Sequence, residues 1–272
     1  MPDLTVAVIH WNVPDLLAEC LATLLPEVRQ LSARGLRVEV LVVDNASRPE
    51  VRARLEAETP PGVRTLWSPE NLGYPRASNL AWAESDSPLV LISNPDLLYR
   101  PGSLAALVAA LDDPAVAAAA PATWWDREHT LMLNPGFPED RERIEEDARA
   151  AREGRWPAHA LDWLGRSRVD DAGGLFDPAL FLYYDDTDLC LRLRRARLPL
   201  LYVPAAEIVH LFNQSRRNDV AVHMATSRRH FLARHYGTAE AERLLDVAAA
   251  SVPAEEPFAA AWGLTDRGRL EA

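Results

Sequence analysis

Four short apolar runs rich in β-branched residues, Leu4–His10, Val38–Val43, Val63–Trp67 and Leu89–Ser93, are separated by segments whose apolar residues recur at helical spacing. Parallel strands need crossover connections, and these are usually helices. The strict alternation therefore predicts an α/β fold with a mostly parallel sheet covered on both faces. The first crossover reads as a helix starting at Pro14, with Leu17, Cys20, Leu21, Leu24 and Val28 on one stripe. A short helix precedes Pro60-Pro61-Gly62, a third helix ends at Ala83, and a fourth spans Ser103–Leu111. With 272 residues, 48% of them apolar, the chain can bury a full core.

Three of the four strands run straight into polar clusters: His10-Trp11-Asn12, Asp44-Asn45-Ala46-Ser47 and Asn94-Pro95-Asp96. If these strands are parallel neighbours, all three clusters share the carboxyl edge of the sheet, where open α/β sheets bind ligands. Asp96 is delivered there by a run bounded by Pro88 and Pro95. A carboxylate beside an amide can hold a magnesium-like ion when water and substrate phosphates complete the shell. Asn-Pro-Asp is equally good turn chemistry, and the residues alone leave both readings open.

The formal net charge of -11 argues against nucleic acid as a dedicated partner, since phosphate backbones are held by clustered basic residues. All 29 basic residues are Arg. Cys20 and Cys190 fall in apolar helical patterns and read as small core residues rather than a disulfide or a metal pair. No apolar stretch approaches the roughly 20 residues of a membrane span, and MPDLTVAVIHWN has no basic segment before its apolar run, so the expected location is the cytoplasm.

The later part of the chain changes character. Residues 139–153 are charged on nearly every side and read as a solvated surface element, and Ala115–Ala122 as a strand. Strands are expected at Leu200–Val203 and Ile208–His210, and a helix at Ala221–Tyr236. Between them lies the aromatic and acidic run FLYYDDTDLCLRLRRA. Asp185, Asp186 and Asp188 open a helix there, where acids oppose the macrodipole. A carboxyl group beside apolar aromatics also has its pKa raised toward a value useful to a base. Spacing does not choose between cap and chemistry.

Taken in order, VIHWN, VVDNAS, NLGYPRASN, ISNPD, AGGLFDPALFLYYDDTDLCLR and VHLFNQS resemble the family 2 glycosyltransferases of the GT-A fold, in particular their rhamnosyltransferase-like branch. The resemblance covers about residues 4–237. It implies a nucleotide-sugar-binding half at 1–121, an acceptor and catalytic half at 122–237, and a helical tail at 238–272. It further implies that Asp44 accepts from the nucleobase with Asn12 and Asn45 beside it, and that Asn71, Gly73, Arg76, Asn79 and Asn94 border the donor. Asp96 stands where the family binds Mg²⁺ or Mn²⁺, and His210 matches a histidine that reaches the diphosphate or the metal. Asp186 aligns with the catalytic base, and Asp185 replaces the Glu beside it. His210 also reads as a satisfied structural histidine, and Arg216 and Arg217 as phosphate partners or solvated charges.

The implied activity is inverting, metal-dependent transfer from a dTDP-, UDP- or GDP-linked sugar to a glycan or lipid-linked acceptor in bacterial surface polysaccharide synthesis. A catalytically silent relative that binds nucleotide sugar or glycan as a scaffold is the alternative. A nucleotidyltransferase would need a basic, Gly-rich phosphate loop near the first strand, and HWNVPD offers none. The basic helix Ala221–Tyr236 suits either packing against the main domain or peripheral contact with the inner face of a membrane. The apolar patch Phe258–Leu264 leaves homodimerisation open.

Overall fold

The computed structural model describes residues 1–128, 130, 132–133, 141, 145, 163–164, 166–211 and 220–249. Within them the order is β1 (Leu4–His10), α1 (Pro14–Ala33), β2 (Val38–Asp44), α2 (Pro49–Glu58), β3 (Val63–Trp67), α3 (Gly73–Ala83), β4 (Leu89–Ser93), β5 (Leu97–Tyr99) and α4 (Ser103–Ala110). There follow β6 (Ala118–Trp124), β7 (Met132–Leu133), β8 (Trp163–Leu164), α5 (Arg166–Asp171), α6 (Asp185–Arg195), β9 (Leu200–His210), α7 (Val220–Tyr236) and α8 (Thr238–Ala249).

One sheet has the order β3-β2-β1-β4-β8, its first four strands parallel and β8 antiparallel. The register sets His10 opposite Asp44 and Val8 opposite Ser93, so the polar clusters after β1, β2 and β4 do share one edge. The central β1 is buried on both faces. Leu4, Val6 and Val8 enter a core with Leu17 and Leu24 of α1, Val51 of α2 and Leu104 of α4. Ala7 and Ile9 enter a second core with Ala77 and Ala81 of α3 and Leu189 of α6. This two-sided burial is why the strand reads as a continuous apolar run.

A second sheet, β5-β9-β6-β7, is absent from the sequence expectations. Its short strand β5 pairs antiparallel with the end of β9, placing Leu97 opposite His210. The two strands expected at Leu200–Val203 and Ile208–His210 are one, β9, interrupted where Pro121 pairs with Val203 and Ala122 with Glu207. The extra residues of β9, which include Pro204, bulge beside Pro121, and neither proline has an N–H for the ladder. β6 itself runs from Ala118 rather than Ala115, across the boundary between residues 121 and 122.

α6 lies between the second core and a third, in which Leu180, Tyr184 and Leu191 pack against Phe231 and Leu232 of α7 and Leu244 of α8. Leu189, Leu191 and Leu193 are all buried because cores flank the helix on two sides, which is why its sequence looks only imperfectly amphipathic. Both cysteines are free and buried in helices, as expected. Among the described residues no helix is long and apolar enough to cross a membrane. Most of residues 139–153, and Arg216, Arg217 and Phe258–Leu264, lie outside the described residues.

The corner between β5 and α4 is held by one buried acid. Glu27 of α1 accepts Gly102 N–H through Oε1 at 3.0 Å and Leu104 N–H through Oε2 at 3.2 Å, closing the start of α4. Glu27→Ala orphans both buried donors, and we expect it to lower unfolding free energy by about 2 to 4 kcal/mol in urea titrations, with an unchanged slope.

Candidate active site

At the joined ends of β1 and β2, His10 and Asp44 are fully buried, with Nδ1 and Oδ1 3.1 Å apart. Val13 N–H donates to His10 Nε2 at 3.2 Å, so that nitrogen is unprotonated and the imidazole proton sits on Nδ1, facing the carboxylate. Ser47 N–H donates to Asp44 Oδ2 at 3.2 Å. Burial alone would raise the Asp44 pKa, but the bonds from His10 and Ser47 outweigh it and the net shift is downward. The Asp44 carboxylate, expected from the resemblance to accept from a nucleobase, thus faces His10 and Ser47. Arg52 stands behind it, its Nε 3.8 Å from Oδ2 and its guanidinium over the Trp67 ring.

Asn12 has φ +57°, and its N–H donates to Ser47 Oγ at 2.9 Å while its Oδ1 accepts Arg48 N–H at 2.8 Å. These bonds staple the loop after β1 to the start of α2. Asn45, beside it, holds the next loop: Nδ2 donates to Asn71 Oδ1 at 3.0 Å and Gly73 O at 3.2 Å, and Oδ1 accepts Leu72 N–H at 2.8 Å. Asn71 Oδ1 also accepts Gly73 N–H at 3.0 Å.

Gly73 has φ +75°, and a Cβ there would lie 2.3 Å from Phe181 O. The next residue, Tyr74, donates its N–H to that same oxygen at 2.8 Å. The Asn-x-Gly loop is therefore docked on the backbone that leads into Asp185 and Asp186. Asn79, on α3, has both polar atoms on one residue of that backbone: Nδ2 donates to Phe176 O at 2.8 Å and Oδ1 accepts Phe176 N–H at 3.0 Å. Arg76 is half exposed and 3.7 Å from Glu70, a surface contact that holds it only loosely.

Asp96 lies in the turn by which the chain leaves the first sheet at β4 and enters the second at β5. Asn94 O receives Ser93 Oγ–H at 3.1 Å and Cys20 S–H at 3.8 Å, fixing the turn from within. Asp96 O accepts Leu211 N–H at 2.9 Å, and the β5–β9 pairing brings Asp96 Oδ1 to 3.3 Å from His210 Nε2. Two donors on adjacent octahedral positions at about 2.1 Å from an ion would be about 3 Å apart. The pair fits a Mg²⁺- or Mn²⁺-like cation that takes its remaining ligands from water and phosphate oxygens. No cluster of three or more metal-ligating side chains occurs among the described residues.

The acidic segment is reached through Tyr183 and Tyr184, both with left-handed backbone at φ +69° and +63°. Such conformations cost about 1 to 3 kcal/mol each and persist only where neighbours enforce them. Asp185 is buried, and desolvation, then the charges of Asp186 and Asp188, push its pKa up to about 8. Asp186 is only half buried, its Oδ1 accepting Thr187 N–H at 2.6 Å and Oγ1–H at 3.1 Å. It thus fills part of the helix-end role as well. Burial and the neighbouring carboxylates thus favour the protonated form of Asp185, the buried member of the pair.

Asp188 does neither job. Its Oδ2 accepts Arg192 Nε–H at 2.7 Å and its Oδ1 faces His235 Nε2 at 2.8 Å, so burial is outweighed and its pKa is lowered. Arg195 donates to His235 Nδ1 at 2.7 Å, which makes His235 neutral with its proton on Nε2 toward Asp188. Arg192 also donates to the carbonyls of Ala172, Gly174 and Leu175. Asp177 behaves similarly: burial opposes ionisation, yet Ala179 N–H, His230 and Arg234 bring its pKa down. Asp177, Arg192, His230, Arg234 and His235 were not singled out for this site in the sequence, because their partners are up to 57 residues away. Of the basic residues of α7, His230, Arg234 and His235 face these acids and Arg229 faces Glu242.

A parallel sheet carrying a switch-point acid, joined to a smaller mixed sheet, is the architecture of the GT-A glycosyltransferases. Solved structures agree. A mannosyltransferase from Pyrobaculum calidifontis, in complex with GDP-Man and Mn²⁺, superposes with a TM-score of 0.59 at 20% identity over 92% of this chain and 74% of its own. GalNAc-T7, with UDP, GalNAc and Mn²⁺, gives 0.63 at 13% identity over 93% of this chain and 52% of its own. The family model for glycosyl transferase family 2 matches residues 5–150, and the chain belongs to that family and is a glycosyltransferase. It is 29% identical to the N-acetylglucosaminyl-diphospho-decaprenol L-rhamnosyltransferase of Mycobacterium tuberculosis over 74% of this chain and 76% of the relative.

Two outcomes check this geometry. Gly73→Ala sets a Cβ against Phe181 O and strains a positive φ, and we expect it to cost at least about 2 kcal/mol in denaturant titrations. Asp185 holds more protons folded than unfolded, so its contribution to stability falls as pH rises from 3.8 toward about 8. Asp185→Asn should be more stable than the parent at about pH 8, with the gap closing toward about pH 4 in paired urea titrations.

Proposed function

We propose that the chain transfers a sugar, rhamnose in the first instance, from a nucleoside diphosphate donor to a lipid-linked glycan acceptor, with inversion at the anomeric carbon. The observation that carries this reading is the Asp96–His210 pair, assembled at 3.3 Å where two sheets meet, in a chain of this family. The rhamnosyltransferase relative, whose acceptor is a sugar on a diphospho-polyprenol, supports the choice of donor and acceptor. Residues 1–121 would hold the donor and 122–237 the acceptor. A lipid-linked acceptor would bring the reaction to a membrane surface, on the cytoplasmic side, as a step of polysaccharide synthesis.

Asp96 and His210 would hold a divalent cation, Mg²⁺ or Mn²⁺, which supplies charge neutralisation for the diphosphate. Asp186 acts as the general base. It accepts the proton of the acceptor hydroxyl while that oxygen bonds to the anomeric carbon and the bond from this carbon to the diphosphate oxygen breaks on the opposite face. Burial favours the protonated form of Asp185, so Asp186, the more exposed member of the pair, is the one suited to this task. The docked loop 71–74 and the end of β1 shape the donor side, and Arg76, loosely held by Glu70, can turn to a phosphate oxygen.

The test is a thermal-shift panel of dTDP-, UDP- and GDP-sugars with and without Mn²⁺, followed by transfer assays with a lipid diphosphate acceptor. A ligand at about 100 times its Kd should stabilise the fold by about 2.7 kcal/mol. The shift should require Mn²⁺ and disappear in Asp96→Ala and His210→Ala. Asp186→Asn should keep the donor shift and lose about 10² to 10⁴ in kcat. A nucleotide shift without transfer by the parent protein would instead support the silent-scaffold reading.

A further inference from the structure

We propose that Asn79 is a positioning residue that acts through the backbone of Phe176 to set the segment carrying Asp186, and that it makes no contact with the donor. The inference rests on the reading of Asp186 as the base. Both polar ends of the Asn79 amide are used on one residue 97 positions away, donating to Phe176 O and accepting from Phe176 N–H. The amide thereby behaves as a one-residue strand partner. Only Asn meets this demand at this reach, since Asp lacks the N–H donor and Gln adds a methylene.

What the clamp holds is the path from Phe176 to Asp186. Phe176 is buried, its ring tilted against Tyr74 at 6.4 Å. Asp177 turns the chain by accepting Ala179 N–H at 3.0 Å, while His230 and Arg234 of α7 take its other oxygen. Phe181 O receives Tyr74 N–H, Leu182 O receives Ser227 Oγ–H at 2.7 Å, and the Phe181 ring stacks on His223 at 4.8 Å. Tyr183 and Tyr184 then take left-handed backbone before Asp185. A stretch with two such residues keeps its course only while both flanks are pinned. α7 pins one flank, and α3, through Asn79 and the Gly73–Tyr74 turn, pins the other. A base must sit within about 0.5 Å of its productive position, so loosening the α3 flank should be felt at Asp186 before it is felt at the donor.

Asn79→Ala removes both bonds, and Asn79→Asp keeps the acceptor and removes the donor. The readouts are amide hydrogen exchange of peptides spanning 176–186, donor affinity by titration of dTDP-rhamnose with Mn²⁺, and kcat against KM. In Asn79→Ala we expect exchange in 176–186 to speed up about tenfold or more while the peptide carrying Asp96 is unchanged. Donor affinity should stay within about twofold while kcat falls about 10- to 100-fold, with Asn79→Asp between the parent and Asn79→Ala. Unchanged exchange in 176–186 overturns the inference, as does a tenfold loss of donor affinity at preserved kcat. Should Asn79→Ala fail to fold, the same criteria apply to Asn79→Asp. Absence of transfer by the parent protein would sink the proposed activity, and the exchange result would still decide whether Asn79 holds the segment.

Discussion

The pairing of β5 with β9 joins the two sheets and sets Asp96 beside His210. Three residues of β5 lie in register with the end of β9, so Leu97 faces His210 and the residue just before β5, Asp96, meets the histidine across the joint between two sheets. Backbone hydrogen bonds locate both groups, and neither side chain has to be long or flexible to reach the other. The turn that carries Asp96 is braced by Ser93, Cys20 and Leu211, so the carboxylate and the imidazole are held in place before any ligand arrives. Preorganisation of this kind spares the reaction the cost of moving charged groups at the moment of bond cleavage.

Around that joint the acids divide by their neighbours. Asp44, Asp177 and Asp188 are buried, yet each is surrounded by imidazole, guanidinium or backbone donors that favour the ion, and their pKa values fall. They tie β1 to β2, and α6 and the segment before it to α7. Asp185 is buried with like charges nearby, and a hydrogen bond from its own backbone N–H does not offset them, so its pKa rises. The contrast shows why a run of three acids need not play one role: Asp188 is held as an ion by Arg192 and His235, whereas burial favours the protonated form of Asp185.

Much of the first sheet was legible because β1, β2 and β4 are largely buried on both faces and each helix on one, and those periods survive in the sequence. The strand ends were legible for the same reason, since a polar cluster after an apolar run has to lie at the sheet edge. The second sheet was not. β5 is three residues long and β7 two, and such elements exist only through their partners, as does the two-residue β8 at the edge of the first sheet. α6 looked imperfect because two cores flank it, and β9 looked like two strands because its ladder with β6 is interrupted by a bulge that contains Pro204.

The sequence by itself determined the alternating α/β order, the helical burial of Cys20 and Cys190, the sheet edge on which Asp44 and Asp96 stand, and, through its six motifs, the glycosyltransferase family. Only the tertiary structure decided what the individual polar groups touch. Asp44 turns to His10, Asn79 to Phe176, and Asp188 to Arg192 and His235, while Asp96 finds His210. The physical reason is one of range. Strand and helix periods are set by neighbours within a few residues, whereas a buried amide or carboxylate must be satisfied by whatever the fold brings beside it. Most of these partners are brought from between 34 and 114 positions away, distances at which local sequence carries no signal.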